Sequence, residues 1–248
     1  MLDHLYVRAR AALLDAVEAL GSQSDAVVLV GAQAIYLHTG DANLAVAEYT
    51  TDADFTISPD DLSDVPLLGE LLGAAGFLAG EHPGGWLSPD GIKIDLMVPE
   101  LLAGPGRRGA DLGVHGRRAA RRAKGLEGAL IDRERHAIGA LDDADDRSVP
   151  IWVAGAGALL VAKVHKIAER FDRNDRVRDK DALDVFRLLR ATPTEDLAAR
   201  LRLLRNDERA GDVTTEALEN LSRLFGDPLG DGAAMAVRAI GGAEDEGV

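Results

Sequence analysis

Five consecutive apolar residues, Ala26-Val27-Val28-Leu29-Val30, run from the polar stretch Ser22-Gln23-Ser24-Asp25 straight into Gly31. A short β-branched run without polar alternation reads as a central strand covered by other structure, so the chain must build a sheet around it. Gly31 and Ala32 then open a helical pattern, Gln33 to His38, that Gly40 ends. Backbone N–H groups at such a helix start are free, and a residue lacking Cβ lets a phosphate come close. Strand, glycine and helix also occur as plain turns throughout α/β proteins, so this feature constrains the fold more than the chemistry.

Two further segments alternate with the period of a strand. Thr51 to Ser58 sends Asp52, Asp54 and Thr56 to one face and Ala53, Phe55 and Ile57 to the other, a strand with a wet side. In Gly91 to Pro99, Ile92, Ile94, Leu96 and Val98 share one face, Lys93, Asp95 and Met97 take the opposite one, and Pro99 stops the strand. Helical spacing covers 2–20, with Leu2, Leu5, Leu13, Val17 and Leu20 on the apolar side and Gly21 as the stop, and again 67–79. From 101 to 148 periodicity is weakest, and we expect a short helix near Ala119 with one or two irregular strands. After Leu159 nearly everything has helical period, which places a division near Pro150: a mixed-sheet domain over 1–150 and a helical domain over 151–248. Thr192, Pro193 and Glu195 read as a capped helix start, and the last eight residues should fray.

The acids carry the chemistry. Asp52 and Asp54 stand two apart on a strand, so both carboxylates point the same way and reach the same cation as hard oxygen ligands. Like charges so placed repel, and the arrangement is unfavourable without a cation or basic partner. Asp95 is a lone carboxylate on an apolar strand, and a neighbouring strand would bring it beside the pair. Three carboxylates around two metal ions form the clamp that stabilises attacking and leaving oxygens in phosphoryl-type transfer. Further on, Lys163, Lys166 and Arg170 are spaced by three and four, a basic stripe that suits a triphosphate, while Leu160, Val164, Ile167 and Phe171 pack on another face. Asp181 and Asp184 follow at i and i+3 on the next helix, where they can orient Lys163 or pair with Arg170 and Arg178. Cysteine is absent, so thiolate zinc sites and cysteine nucleophiles are excluded. The histidines show no metal-ligand spacing, and we assign none of them catalysis.

Gly31, the Asp52-Ala53-Asp54 strand and the Asp95 strand, in this order, resemble the nucleotidyltransferase superfamily, whose palm-like fold carries a glycine turn, a D-x-D pair and a later third acid. The stretch LLVAKVHKIAERFDRNDRVRDKDALDVFRLL is similar to the lysine, arginine and K-D-x-x-D signature of AbiEii-type nucleotidyltransferases, the group that includes the MenT toxins of toxin–antitoxin pairs. The likeness covers about 25–190. It implies an α+β, polymerase-beta-like palm followed by a helical C-terminal domain, with the active site in the cleft between them. It implies Mg²⁺ or Mn²⁺ on Asp52, Asp54 and Asp95. It also implies a nucleoside triphosphate gripped by Gly31, Ala32, Lys163, Lys166 and Arg170, with Asp181 in the same signature. Ala32 stands where the family turn usually has Gly or Ser, and Glu48 where many relatives have Arg. A non-catalytic nucleotide-binding module on the same fold is therefore an alternative.

The resemblance to MenT-type toxins implies transfer to the 3′ end of tRNA, and a cognate antitoxin as partner. Acids exceed bases by 42 to 28, a formal charge of −14, which disfavours nonspecific nucleic-acid binding by the whole molecule. Locally the sign reverses. From Arg107 to Lys124 seven basic residues face the single acid Asp111, a segment of +6 on which tRNA could land. An acidic cleft would instead suit nucleotidylation of a small cationic compound, as in aminoglycoside-modifying relatives. Aromatic residues are only 4% of the chain, too sparse for a base-stacking platform. The first twenty residues lack the basic start, apolar run and cleavage site of a signal peptide, and no stretch reaches membrane-spanning length, so a cytoplasmic protein without membrane contact is expected.

Overall fold

A computed structural model describes residues 4–40, 50–170 and 176–241, with the side chains of 176–178 and Gly241 left aside. The expectations for Leu2, Glu48, Phe171, the side chain of Arg178 and the fraying of 242–248 lie outside the described residues. The chain divides into two compact units. One comprises Met1–Gln33, Tyr49–Ala123 and Arg133–Ala154, and the other Ala34–Glu48, Lys124–Asp132 and Gly155–Val248. The division thus falls four residues past Pro150, because a strand continues to Ala154, and two earlier segments join the helical unit.

The first unit is a mixed α/β layer. Its strands are β1 (Val27–Val30), β2 (Asp52–Ile57), β3 (Leu78–Ala79), β4 (Gly85–Leu87), β5 (Lys93–Pro99), β6 (Arg121–Ala123), β7 (Arg133–Gly139) and β8 (Ser148–Ala154). They form one sheet in the order β3-β4-β5-β2-β1-β8-β7, with β6 also paired to β5. The apolar run at β1 is buried at every residue because β2 pairs with it antiparallel on one side and β8 parallel on the other. β5 lies parallel to β2, while its opposite edge is shared: β4 covers Lys93 to Asp95 and β6 covers Met97 to Pro99. Gly84 sits where these three strands meet. Its φ is 79°, and a Cβ there would strike the Leu96 carbonyl and the Arg121 amide, so only glycine fits.

Helix α1 (His4–Ala19) buries Ala9, Leu13, Ala16 and Val17, as its stripe predicts, but Leu5 is 45% exposed. Thr56 departs from the wet-side expectation: it is fully buried, so the polar face of β2 is open only at Asp52 and Asp54. The helical reading of 67–79 holds for α3 (Leu68–Ala74) and then fails, because Leu78 and Ala79 turn back to pair with β4. No helix forms near Ala119. Trp86 is buried and donates its indole N–H to the Ala119 carbonyl at 3.3 Å, and the chain goes from there directly into β6.

The second unit is helical. Helix α2 (Gly31–Thr39) begins at the end of β1, and its residues from Ala34 on belong to this unit, with α4 (Ala156–Glu169), α5 (Arg176–Ala191), α6 (Thr194–Arg205), α7 (Gly211–Phe225) and α8 (Asp231–Gly241). α4 packs against α5, α6 and α7, which is why Leu159, Leu160, Val161, Val164 and Ile167 are all buried. Its start is capped from outside: Asp132, itself buried, accepts the Ala158 N–H at 3.1 Å and pairs with Arg200. The expected cap at Thr192 is not made. α6 starts at Thr194 after Pro193 and has no side-chain cap, because α5 runs on to Ala191 and leaves only Thr192 and Pro193 between the two helices.

Candidate functional site

β2 carries Asp52 and Asp54, both half-buried, and its register sets Asp54 opposite Val30, the last residue of β1. Gly31 follows at once with φ of 71°. A Cβ there would lie 2.8 Å from Asp54 Cβ and collide with the carboxylate. The space that the missing Cβ opens is thus taken by Asp54. Ala32 lies half-buried beside it in the first turn of α2.

β5 brings Asp95 into register with Asp54, and Lys93 into register with Asp52. Residues paired across parallel strands point to the same side, so all three acids share one face of the sheet. Their partners differ. Asp52 Oδ1 accepts the Thr50 hydroxyl, and the Asp52 backbone carbonyl accepts Gln33 Nε2 at 2.9 Å. Gln33 in turn accepts Arg10 Nε at 3.0 Å. Arg10 is 5% exposed, donates also to the Gly139 carbonyl and the Tyr6 hydroxyl at 3.1 Å each, and leans over the Tyr6 ring. Neutral acceptors thus hold a buried guanidinium behind the acidic face. Asp95 is bound by an arginine directly: Arg121 donates from Nε at 2.8 Å and from a terminal nitrogen at 2.6 Å, both to Oδ2, and the same nitrogen reaches Met97 Sδ at 2.8 Å.

Among the described residues no group of three or more His, Asp or Glu side chains is gathered to hold a metal ion. For a divalent cation the donor chemistry fits at Asp52 and Asp54, two hard-oxygen ligands on one strand face. A three-carboxylate clamp around two ions does not match, because Asp95 already carries a guanidinium.

In the second unit the basic stripe forms and turns inward. Lys163 Nζ lies 2.8 Å from Asp181 Oδ1 and 2.7 Å from Asp184 Oδ2, and all three residues are buried. Arg170 pairs with Asp181 at 3.1 Å, and Arg187 with Asp184 at 3.0 Å while facing the Tyr36 ring. Burial pulls the Lys163 ammonium downward, but Asp184 and Asp181 outweigh it and hold its pKa above the ordinary lysine value. Burial likewise pushes Asp181 up, and Lys163, Lys166 and Arg170 together bring it below the usual carboxylate range. Tyr36 is pushed up to about 12, first by burial and then by Asp184. The expected orientation of Lys163 by Asp181 and Asp184 is present. The ammonium expected to meet phosphates is matched by these two carboxylates.

The Arg107 to Lys124 strip runs through loops and a single 3₁₀ turn (Gly113–His115) into β6. Arg117 pairs with Asp111 and donates to the Pro105 carbonyl, and Arg118 donates to the carbonyls of Gly80 and Glu81. Arg122 donates to the Gly106 carbonyl and faces Glu100, and Lys124 meets Glu216 at 2.7 Å. Arg107 and Arg108 are exposed. Two histidines act structurally: His115 accepts the Leu68 N–H at 3.1 Å, and His165 bonds the Val213 carbonyl at 2.7 Å. A hollow of about 400 Å³ in the second unit, lined in part by His38, Thr192, Asp196 and Arg200, gathers none of the expected residues.

Sequence reasoning missed Arg10, Gln33 and the pairing of Arg121. Arg10 left a signal, since it stands three and seven residues before Leu13 and Val17, on the apolar stripe of α1 where a charge needs an explanation. No family model matches this chain, and no curated protein matches it. No described helix is long and apolar enough to cross a membrane.

Proposed function

We propose that the first unit is the catalytic part of a cation-dependent nucleotidyltransferase. The observation that carries this reading is the seating of Asp54 against Gly31, with Asp52 beside it on β2 and Asp95 in register on β5. Three acids on one sheet face at the mouth of a strand–glycine–helix turn are costly for stability alone, and they suit a reaction whose substrate is a polyanion with its cation. In this reading Asp52 and Asp54 hold Mg²⁺ or Mn²⁺, which when bound neutralises the triphosphate and the departing pyrophosphate. The Gly31 and Ala32 backbone at the start of α2 faces the phosphates. The acceptor oxygen attacks the α-phosphorus, the bond to pyrophosphate breaks, and Asp95 takes the hydroxyl proton at Oδ1, since Arg121 occupies Oδ2. Gln33, anchored by Arg10, fixes the Asp52 backbone. Lys163 serves as the pivot joining α4 to α5.

For the acceptor, the resemblance favours the 3′ end of tRNA, docked through exposed Arg107 and Arg108, and a role as the toxin of a pair with an antitoxin. A second reading, a small cationic hydroxyl compound, is favoured by the strip itself, because its other cations are bound to acids and backbone carbonyls of this chain. The test is to incubate the protein with Mg²⁺ and each labelled triphosphate, with total tRNA, with an aminoglycoside or with neither, beside Asp52→Ala. Label on tRNA that vanishes in the variant supports the tRNA reading, and label only on the aminoglycoside supports the second. Triphosphate binding without transfer under every condition overturns the enzyme in favour of a binding module.

A further inference from the structure

The two edges of the sheet differ. At one end β3 is two residues long, too short to template another strand, whereas β7 at the other end runs for seven, from Arg133 to Gly139. Among the described residues no strand pairs with the outer side of β7. The phase of its ladder with β8 decides which groups face outward. Gly155 donates to the Asp132 carbonyl at 2.7 Å and Ala140 to the Arg147 carbonyl at 3.0 Å, so the hydrogen-bonded pairs fall on the even-numbered residues. Arg133, Arg135, Ala137 and Gly139 therefore turn their backbone N–H and C=O away from β8. The Gly139 carbonyl accepts Arg10 at 3.1 Å, and among the described residues no backbone hydrogen bond reaches the outward groups of the other three. The charge that ordinarily guards such an edge is drawn off it. The Arg133 and Arg135 guanidiniums lie over the Trp152 ring, 4.7 and 5.0 Å from its centre, and pair with Asp61 and Asp25, so both are held on the sheet face with acids beside them. Glu134, Arg135 and Ala137 are exposed.

We infer that the outer edge of β7 receives β7 of a second copy of this chain, antiparallel, so that one sheet continues through a two-fold axis. The inference is independent of the reading of the acidic face. The strand's own pattern selects the register. An axis perpendicular to the sheet keeps the faces matched, and outward groups must meet outward groups, which near the middle of the strand leaves axes at Glu134, Arg135 or His136. With the axis at Glu134 the two glutamates stand opposite each other and repel. With the axis at His136, Arg133 must pair with Gly139, whose carbonyl Arg10 holds. The axis at Arg135 avoids both. It pairs Arg133 with Ala137 of the second copy, lets each of the three outward residues exchange both of its hydrogen bonds, and sets Glu134 opposite His136 of the second copy, an acid facing an imidazole. The two Arg135 side chains meet on the other face, each already bound to its own Asp25. The strand is thus complementary to itself, which favours a second copy over an unrelated extended segment.

Backbone pairing over so short a run makes a weak interface, so the full chain is followed by sedimentation equilibrium from about 10 μM to about 1 mM. The wild type should pass from monomer to dimer within that range. Ala137→Pro removes an outward donor and leaves the β8 ladder alone, and losing two hydrogen bonds across the axis should weaken the dimer about thirtyfold. Glu134→Lys, a change at an exposed position, should weaken it about fivefold through the pairs with His136. Circular dichroism of both variants shows whether the fold survives, and Glu134→Lys decides if Ala137→Pro does not fold. The chain has no cysteine, so single cysteines report the register. Arg135→Cys should join two copies by a disulfide under mild oxidation, while Glu134→Cys and His136→Cys should not, because their counterparts lie diagonally out of reach. A protein monomeric at every concentration leaves the edge to solvent or to an extended segment of another protein, and overturns the inference. A dimer that folded variants leave unchanged, or a disulfide through Glu134→Cys in place of Arg135→Cys, also overturns it.

Discussion

The same residue types make two clusters in this chain, and they balance their charge in opposite ways. In the second unit Lys163 stands between Asp181 and Asp184, with Arg170 and Arg187 on the outer oxygens, and every central member is buried. Here each carboxylate has two cations, and the network is complete without a ligand. In the first unit Asp52, Asp54 and Asp95 share a half-exposed face, where Arg121 binds Asp95 and a backbone-directed relay from Arg10 supports Asp52. A buried network closed by its own side chains specifies a structure. Carboxylates in register on a half-buried sheet face are suited to a cation from outside.

If the second cluster is structural, breaking it should cost the most. Lys163→Met leaves two carboxylates facing each other in the interior, and we expect a loss of about 3–5 kcal/mol in equilibrium urea unfolding. A neutral result would make the network dispensable. The pH dependence has a definite sign. Asp181, held below the usual range, contributes stability that is present above the ordinary carboxylate value of about 3.9 and lost as pH falls through its lowered folded value. Lys163, held above its usual value, contributes stability that is present below about 10.4 and lost as pH rises through its raised one. The gap between wild type and Lys163→Met should therefore be flat across neutral pH and narrow in acid.

An intermediate effect is expected at Gly31. Alanine there must adopt a left-handed backbone at about 1–2 kcal/mol and displace Asp54, so Gly31→Ala should lower stability modestly and remove Mn²⁺ binding. Retained Mn²⁺ affinity would show that the seat of Asp54 is incidental. The smallest effect belongs to the strip. Arg117 and Asp111 are both well exposed, and Arg117→Ala should change unfolding by less than about 1 kcal/mol. A larger loss would mean that the strip organises the loops it crosses.

Sequence made much of this legible because its signals were local. The buried run at β1, the alternation that put Asp52, Asp54 and Asp95 on polar faces, and the three-and-four spacing around Lys163 each depend only on near neighbours in the chain. What it hid was pairing across distance. The hairpin of β3 and β4 is too short to show a period, and the burial of Thr56 depends on β5, forty residues away. The use of Arg121 depends on the pairing of β6 with β5, and a charge run gives no hint of which cation turns inward. Gln33 was invisible for the same reason, since its value lies in reaching the Asp52 carbonyl, and Arg10 showed only as a charge on an apolar stripe, without its partner.

The most direct test of the central claim, that Asp52 and Asp54 are kept together for a cation, is the thermal midpoint of wild type and Asp54→Asn with and without Mn²⁺. A cation that binds only the native state raises the midpoint by mass action. The account predicts that adding Mn²⁺ raises the midpoint of the wild type and leaves that of Asp54→Asn unchanged. An equal gain in both proteins would contradict the claim.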